Sequence, residues 1–578
     1  MQPNPVKSTW RLLLAMLAAT LALGAFEGVY GRVEYSGDGI SYLNVVRAIH
    51  SGDWQAVFSP YWGLGYPLAL SAWLPLFHST PGGEWAGILC LNLLILTLTF
   101  FSFYWLVQVG LGLIQGRDGE TASHKRRFLL IAALPVFLST EISIDNVSRV
   151  SPDILVACLV FASVATLLGM VRTPNWSGAL KLGVLLGLGY LVKGIFLPLS
   201  LAFVGIEVIL LWRQRSAKLL AVSLASMALL AVPYAVGLSW AYGRPSFGEV
   251  GSLNYAWYVN GLQMDAFWEG GPPEFGKPLH PPLQVSSNPS IYLFDGSHAV
   301  TYAPWFNPPY YFEGYRHFFS LKRQVAEALR DLRALAAIFS RRIVLYLLLF
   351  ALILRWRKRE DRVGFLSEYR MLWPLAAAAL LGMTIYVLVY LQPRHVASFV
   401  ALVLLALCLC LVGGDDAAFD RALPARLRTV LLVLLFGAWV TTAAEPTGLD
   451  DVKPFEHLAK RQMFYNSDQL KVGQYLSQTG AQPGDKVAWL ADYFEITHCT
   501  WAYVDHLRII GEIGGELLDP PRDELGAFWR SAPEERRRML EVFHHAGARL
   551  VVALRMPSYA DPTGWERVPG TGIWVYRF

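Results

Sequence analysis

Long apolar runs separated by short charged clusters set the pattern of this chain. Runs able to cross a bilayer, which takes roughly 20 apolar residues in a helix, fall at about 11–28, 86–114, 127–140, 152–171, 178–193, 195–212, 218–240, 342–355, 371–391, 395–413 and 427–443. The pattern predicts a polytopic α-helical membrane protein with about 11 transmembrane helices. Two longer polar intervals, 29–85 and 241–341, interrupt it, and after residue 443 the chain changes character. There, strand-like segments at Lys486–Ala491, Leu507–Gly511, Arg549–Leu554 and Ile573–Arg577 alternate with helical patterns at 468–479 and 533–547. That alternation predicts a small α/β domain. The chain therefore divides into a membrane domain, 1–443, and a C-terminal domain, 444–578.

The first interval holds YSGDGISYLNVVRAIHSGDW at 35–54. Asp38 lies between two glycines, and Tyr42, Val45, Val46 and Ile49 recur at helical spacing. Ser41 to His50 thus reads as a short amphipathic helix on the membrane surface, stopped at Gly52. Asp38 has two readings, a carboxylate working at the lipid–water boundary or an N-cap of that helix. The following segment, GLGYPLALSAWLPLF at 63–77, is too short and too rich in Pro and Gly to span. It reads as a re-entrant or surface helix beside the first interval. Within 241–341, LKRQVAEALRDLRALAAIF carries one apolar face (Leu321, Val325, Leu329, Leu332) and suits the lipid surface.

Composition agrees with a membrane class. Of 578 residues, 54% are apolar and 16% charged, and mean hydropathy is +0.38; soluble domains run at about 25% charged. The net charge of +5 comes from clusters between apolar runs, so it is not a nucleic-acid signal. Those clusters (Arg117 and Lys125–Arg127; Arg213, Arg215, Lys218; Arg355–Arg370; Arg421–Arg428) fall on alternate connections, whereas 29–85 holds Arg32 and Arg47 alone. The positive-inside rule then puts the N-terminus in the cytoplasm and 29–85, 241–341 and the tail outside a plasma (inner) membrane. Residues 11–28 read as a retained helix rather than a cleaved signal. Five cysteines show neither a disulfide framework nor metal-ligand spacing.

Chemistry-bearing side chains gather where spans meet the outer face. Glu207 is the only acid or base well inside a predicted span. Asp38, Glu141, Asp145, Arg149, Asp153, Lys193, Arg341, Arg342, Arg394 and His395 lie at span ends or outer turns. Lys193 and Arg394 could each be an interfacial anchor, but several cations beside a carboxylate suit a lipid-linked phosphate. Two other classes remain: a transporter of lipid-linked sugar or polysaccharide, which scarce midplane charge argues against, and a non-catalytic scaffold with an outer binding domain.

GDGISYL and SGDW in the first outer loop, YWGLGYPLAL after it, SRVSPDILVACLVF opening a span, GLGYLVKGIFLPL at a turn and QPRH before a late span occur in that order. Together these residues resemble the GT-C superfamily of integral-membrane glycosyltransferases, which includes protein O-mannosyltransferases, the lipid A aminoarabinose transferase and oligosaccharyltransferase subunits. The resemblance covers roughly residues 8 to 443. It implies an inverting hexosyl- or pentosyltransferase using a polyprenyl-phosphate sugar donor, with a lipid, glycan or protein acceptor on the outer face. Asp38 matches the first-loop acid that serves as base, and Lys193, Arg394 and His395 would hold the donor phosphate. Many relatives carry a second acid next to the first, whereas this chain has Gly39. The resemblance therefore points to Asp145 or Glu141 as a second acid, and Asp38, Asp145 and Glu141 as candidate ligands of Mg²⁺ or Mn²⁺, with metal use left open. The Lys-Pro-Pro of the aminoarabinose transferases is missing, so that substrate is not carried over.

Overall fold

The computed structural model describes residues 5–114, 123–212, 216–262, 267–294, 298–356, 370–413, 419–421, 423–443, 454–490, 498–513 and 523–578. A helix stands at every place where the apolar runs predict one: Pro5–Tyr30, Pro81–Ile114, Ser123–Glu141, Asp153–Met170, Trp176–Val192, Phe196–Trp212, Ala217–Tyr242, Ile343–Trp356, Trp373–Val387, Pro393–Val412 and Ala425–Ala443. Among the described residues, six helices are long and apolar enough to cross a membrane by themselves. A seventh span arises if Leu321–Ser340 and Ile343–Ile353, bent by 72° at their junction, count as one. The protein is thus an integral membrane protein of helical type. Of the basic clusters, Arg117, Arg213, Arg215, Arg357, Lys358, Arg359 and Arg362 lie outside the described residues, whereas Lys125–Arg127, Lys218, Arg370 and Arg421–Arg428 stand at or beside the helix ends that the connections join.

Pro81–Ile114 has 34 residues, about 51 Å of helix, well over the roughly 30 Å hydrocarbon thickness. Its Pro81 end continues past the apolar run into the polar layer that holds the first interval. There Glu84 accepts hydrogen bonds from the Tyr35 and Tyr503 hydroxyls at 2.8 and 3.0 Å. Trp85 stacks on Phe464 with centroids 4.6 Å apart, and the Tyr35 amide donates to Thr500 Oγ1. These bonds fasten the C-terminal region onto the first interval.

The helix after Asp38 begins earlier than its apolar spacing suggests, running Gly37–Ser51 with Gly52 closing it in the left-handed conformation. It is not a half-exposed surface helix. Ile40 to Val46 are all buried: Trp62 packs on Tyr42 of the apolar face, while Thr301 and Tyr503 cover Asn44 and Arg47 on the face expected to meet water. The 63–77 segment forms a short helix, Gly65–Trp73, with a single tight turn after it.

The sheet has seven strands: β1 (Leu283–Ser287), β2 (Ser290–Leu293), β3 (Lys486–Leu490), β4 (Arg508–Ile513), β5 (Leu550–Ala553), β6 (Trp565–Arg567) and β7 (Trp574–Arg577). Their order is β1-β2-β4-β3-β5-β7-β6. β3 is parallel to β4 and β5, as the strand–helix alternation predicts, and the remaining pairs are antiparallel. The β1–β2 hairpin comes from the 241–341 interval and pairs with β4 of the tail, so the sheet joins the two outer segments.

Candidate active site

The site grows from the start of the Gly37–Ser51 helix. Ser36 is the N-cap, its side chain accepting from the Gly39 amide, so Asp38 is released from capping. Its two carboxylate oxygens are used across the fold instead. Oδ1 accepts from Trp305 Nε1 at 3.2 Å and Oδ2 from Arg394 Nη2 at 3.1 Å. Gly39 has a steric reason: a Cβ there would lie 2.9 Å from Val150 Cβ and 3.3 Å from Ser36 Oγ. A second carboxylate has no room beside the first.

The second acid on this cavity is Asp153. It opens the Asp153–Met170 helix, is buried, and accepts from Ser151 Oγ at 3.0 Å. Lys193, which ends the Trp176–Val192 helix, donates its ammonium to Asp153 Oδ1. Arg394, in the first turn of Pro393–Val412, donates Nε to Gln392 Oε1 at 2.9 Å and lies 3.8 Å from Asp153 Oδ2. Two cations about 200 residues apart thus share one carboxylate. His395 stacks on Tyr386 at 5.0 Å, and its buried Nδ1 makes no hydrogen bond among the described residues.

These five residues, Asp38, Asp153, Lys193, Arg394 and His395, line one cavity of about 370 Å³. The remaining lining includes aliphatic side chains (Ile195, Leu197, Pro198 and Leu238) and aromatic ones (Tyr61, Trp257, Tyr258, Trp305 and Tyr390). An apolar wall beside fixed cations suits an amphiphile with an anionic head, and aromatic faces suit sugar rings.

Glu141 and Asp145 do not line this cavity. Both are buried. Burial pushes the Asp145 carboxyl up to about 7, the Asp153 charge adding to the effect and Arg149 opposing it. The sequence singled out Asp153 as an outer-face charge but gave it no role; its place at the first turn of a helix after Ser-Pro was the available signal. Among the described residues no group of three or more His, Cys, Asp or Glu side chains is placed to hold a metal ion. The two cavity carboxylates are already neutralised by Lys193 and Arg394, a donor set that does not fit Mg²⁺ or Mn²⁺.

No protein-family model matches the chain, and no curated protein matches its sequence. Among solved structures, ArnT from Cupriavidus metallidurans in the apo state matches over 99% of this chain and 98% of its own, with TM-score 0.52 and 12% identity. The fold is ArnT-like. ArnT bound to undecaprenyl phosphate matches with TM-score 0.50 and 11% identity over 98% of this chain and 97% of its own. The Archaeoglobus fulgidus oligosaccharyltransferase in the apo form covers 93% of this chain and 69% of its own at TM-score 0.45 and 15% identity. At such identities the likeness concerns the fold, and the roles of side chains rest on the geometry above.

Proposed function

We propose that the protein transfers a sugar from a polyprenyl-phosphate donor to an acceptor hydroxyl on the outer face of the membrane, with inversion at the anomeric carbon. One observation carries the reading: Asp38 stands in a cavity where two cations are pre-oriented on a neighbouring carboxylate. Support for a polyprenyl-phosphate ligand comes from the ArnT fold, solved with undecaprenyl phosphate bound.

In this mechanism the isoprenoid tail lies along Ile195, Leu197, Pro198 and Leu238. The phosphate meets Lys193, Arg394 and His395. Asp153 orients Lys193, and Asp38 and Asp153 together orient Arg394 at the cavity. Asp38 accepts the proton of the acceptor hydroxyl as its oxygen attacks the anomeric carbon. The bond from that carbon to the phosphate oxygen breaks, and the leaving polyprenyl phosphate takes the electron pair. Lys193 and Arg394 stabilise the charge that develops there, usually the larger contribution in such transfers. A general base of this kind contributes roughly 10²–10⁴-fold.

The two halves are separable. Asp38→Asn should keep undecaprenyl phosphate binding and lower transfer by about two orders of magnitude or more. Lys193→Met should weaken that binding by about tenfold, the loss expected for one charged hydrogen bond. Fluorescence titration of purified protein with undecaprenyl phosphate, beside a transfer assay, reads both. Unchanged binding in Lys193→Met would remove the shared phosphate site, and full turnover in Asp38→Asn would remove the base.

A further inference from the structure

The turn that carries Trp305 is fixed from two sides. Trp305 sits in the short turn Ala303–Phe306. On one side, the Ile509 amide of β4 donates to Thr301 O at 2.9 Å, and the Tyr302 hydroxyl donates to Glu512 Oε2 at 2.9 Å. Glu512 is itself buried in β4, and the same oxygen accepts from Trp489 Nε1 of β3. On the other side, Phe306 O accepts from Trp62 Nε1 of the first interval at 2.8 Å. Between these anchors Trp305 donates its N–H to Asp38 Oδ1.

We infer that Trp305 is a positioning residue for Asp38, and that the C-terminal sheet sets its place through Tyr302 and Glu512. The inference rests on the reading of Asp38 as base. A carboxylate with two oxygens can rotate about its own axis. Arg394 holds one oxygen and Trp305 the other, so the plane of the carboxylate is set and one acceptor site on each oxygen is left to meet a substrate proton. In this reading the tail contributes to turnover from outside the cavity, since among the described residues none beyond His395 borders it. A tryptophan that merely stacked on a sugar would act through its ring face, which phenylalanine largely retains.

Transfer kinetics of Trp305→Phe, Tyr302→Phe and the double variant test this, with Asp38→Asn beside them. Trp305→Phe should lower kcat about tenfold with KM for the donor changed less than about twofold, as loss of a hydrogen bond to a charged group predicts. Tyr302→Phe should lower kcat severalfold, and the double variant should be no slower than Trp305→Phe alone. An unchanged kcat, a loss confined to KM, or effects that multiply would each overturn the inference. If Trp305→Phe does not fold, Tyr302→Phe decides: a kcat loss at constant KM supports the coupling, and wild-type kcat overturns it. Asp38→Asn separates the two readings, because wild-type turnover there fails the base itself, whereas an inactive Asp38→Asn with a normal Trp305→Phe fails only the positioning.

Discussion

Ser36 and Asp38 divide two tasks that the sequence left in competition. The serine caps the helix and the aspartate reaches across the cavity to Trp305 and Arg394. Ser36→Ala should therefore cost about 0.5–2 kcal/mol of stability, while Asp38→Asn should leave the melting temperature within about 2 °C of wild type. A thermal-shift comparison checks both, and the reverse order would return the cap to Asp38. Gly39→Asp places a Cβ against Val150 and should destabilise by about 1–3 kcal/mol rather than supply a second acid. Motif order singled out Asp38, Lys193, Arg394 and His395, and the fold brings these four to one cavity, their roles resting on the proposal above. The place of Asp153 beside them could not be read. Within 141–153 three acids compete, and only the packing of the turn decides which one reaches the cavity.

Elements with strong periodicity could be read directly. Each apolar run became a helix, and the four strands expected in the tail stand within about two residues of their predicted bounds. The β1–β2 hairpin escaped notice for a physical reason. Its strands have five and four residues, prolines flank them, and their stabilising partner, β4, lies more than 200 residues away. No local pattern announces such a pairing. The amphipathic reading of the Gly37–Ser51 helix failed similarly, since its polar face is covered by segments distant in sequence. The shared sheet predicts that β2 depends on the tail. In hydrogen exchange, amides of Ser290–Phe294 should be protected in the full chain and exchange rapidly in a chain ending at residue 443. Equal protection in both would show that the hairpin stands without β4.

At the scale of the whole molecule, outer segments that the sequence presents separately form one layer: the first interval, the 241–341 interval and the tail share hydrogen bonds and a sheet. They must lie on one side of the membrane together. From the basic clusters the expected side is the exterior, by a rule that acts on short loops near span ends. All eleven helices crossing would keep the layer outside with a cytoplasmic N-terminus; six or seven crossings would need several helices to turn back. Impermeant thiol labelling tests the side on which the layer lies. With Cys90, the exposed cysteine among the described residues, changed to Ala, Ser287→Cys in the hairpin and Gln478→Cys in the tail are both at exposed positions. Both should react in intact cells to the same extent as after permeabilisation. Reaction of both only after permeabilisation would invert the molecule and put Asp38 on the cytoplasmic face, where an outer-face transfer could not occur. Reaction of one without the other would contradict the shared sheet, because β2 and β4 cannot pair across a bilayer.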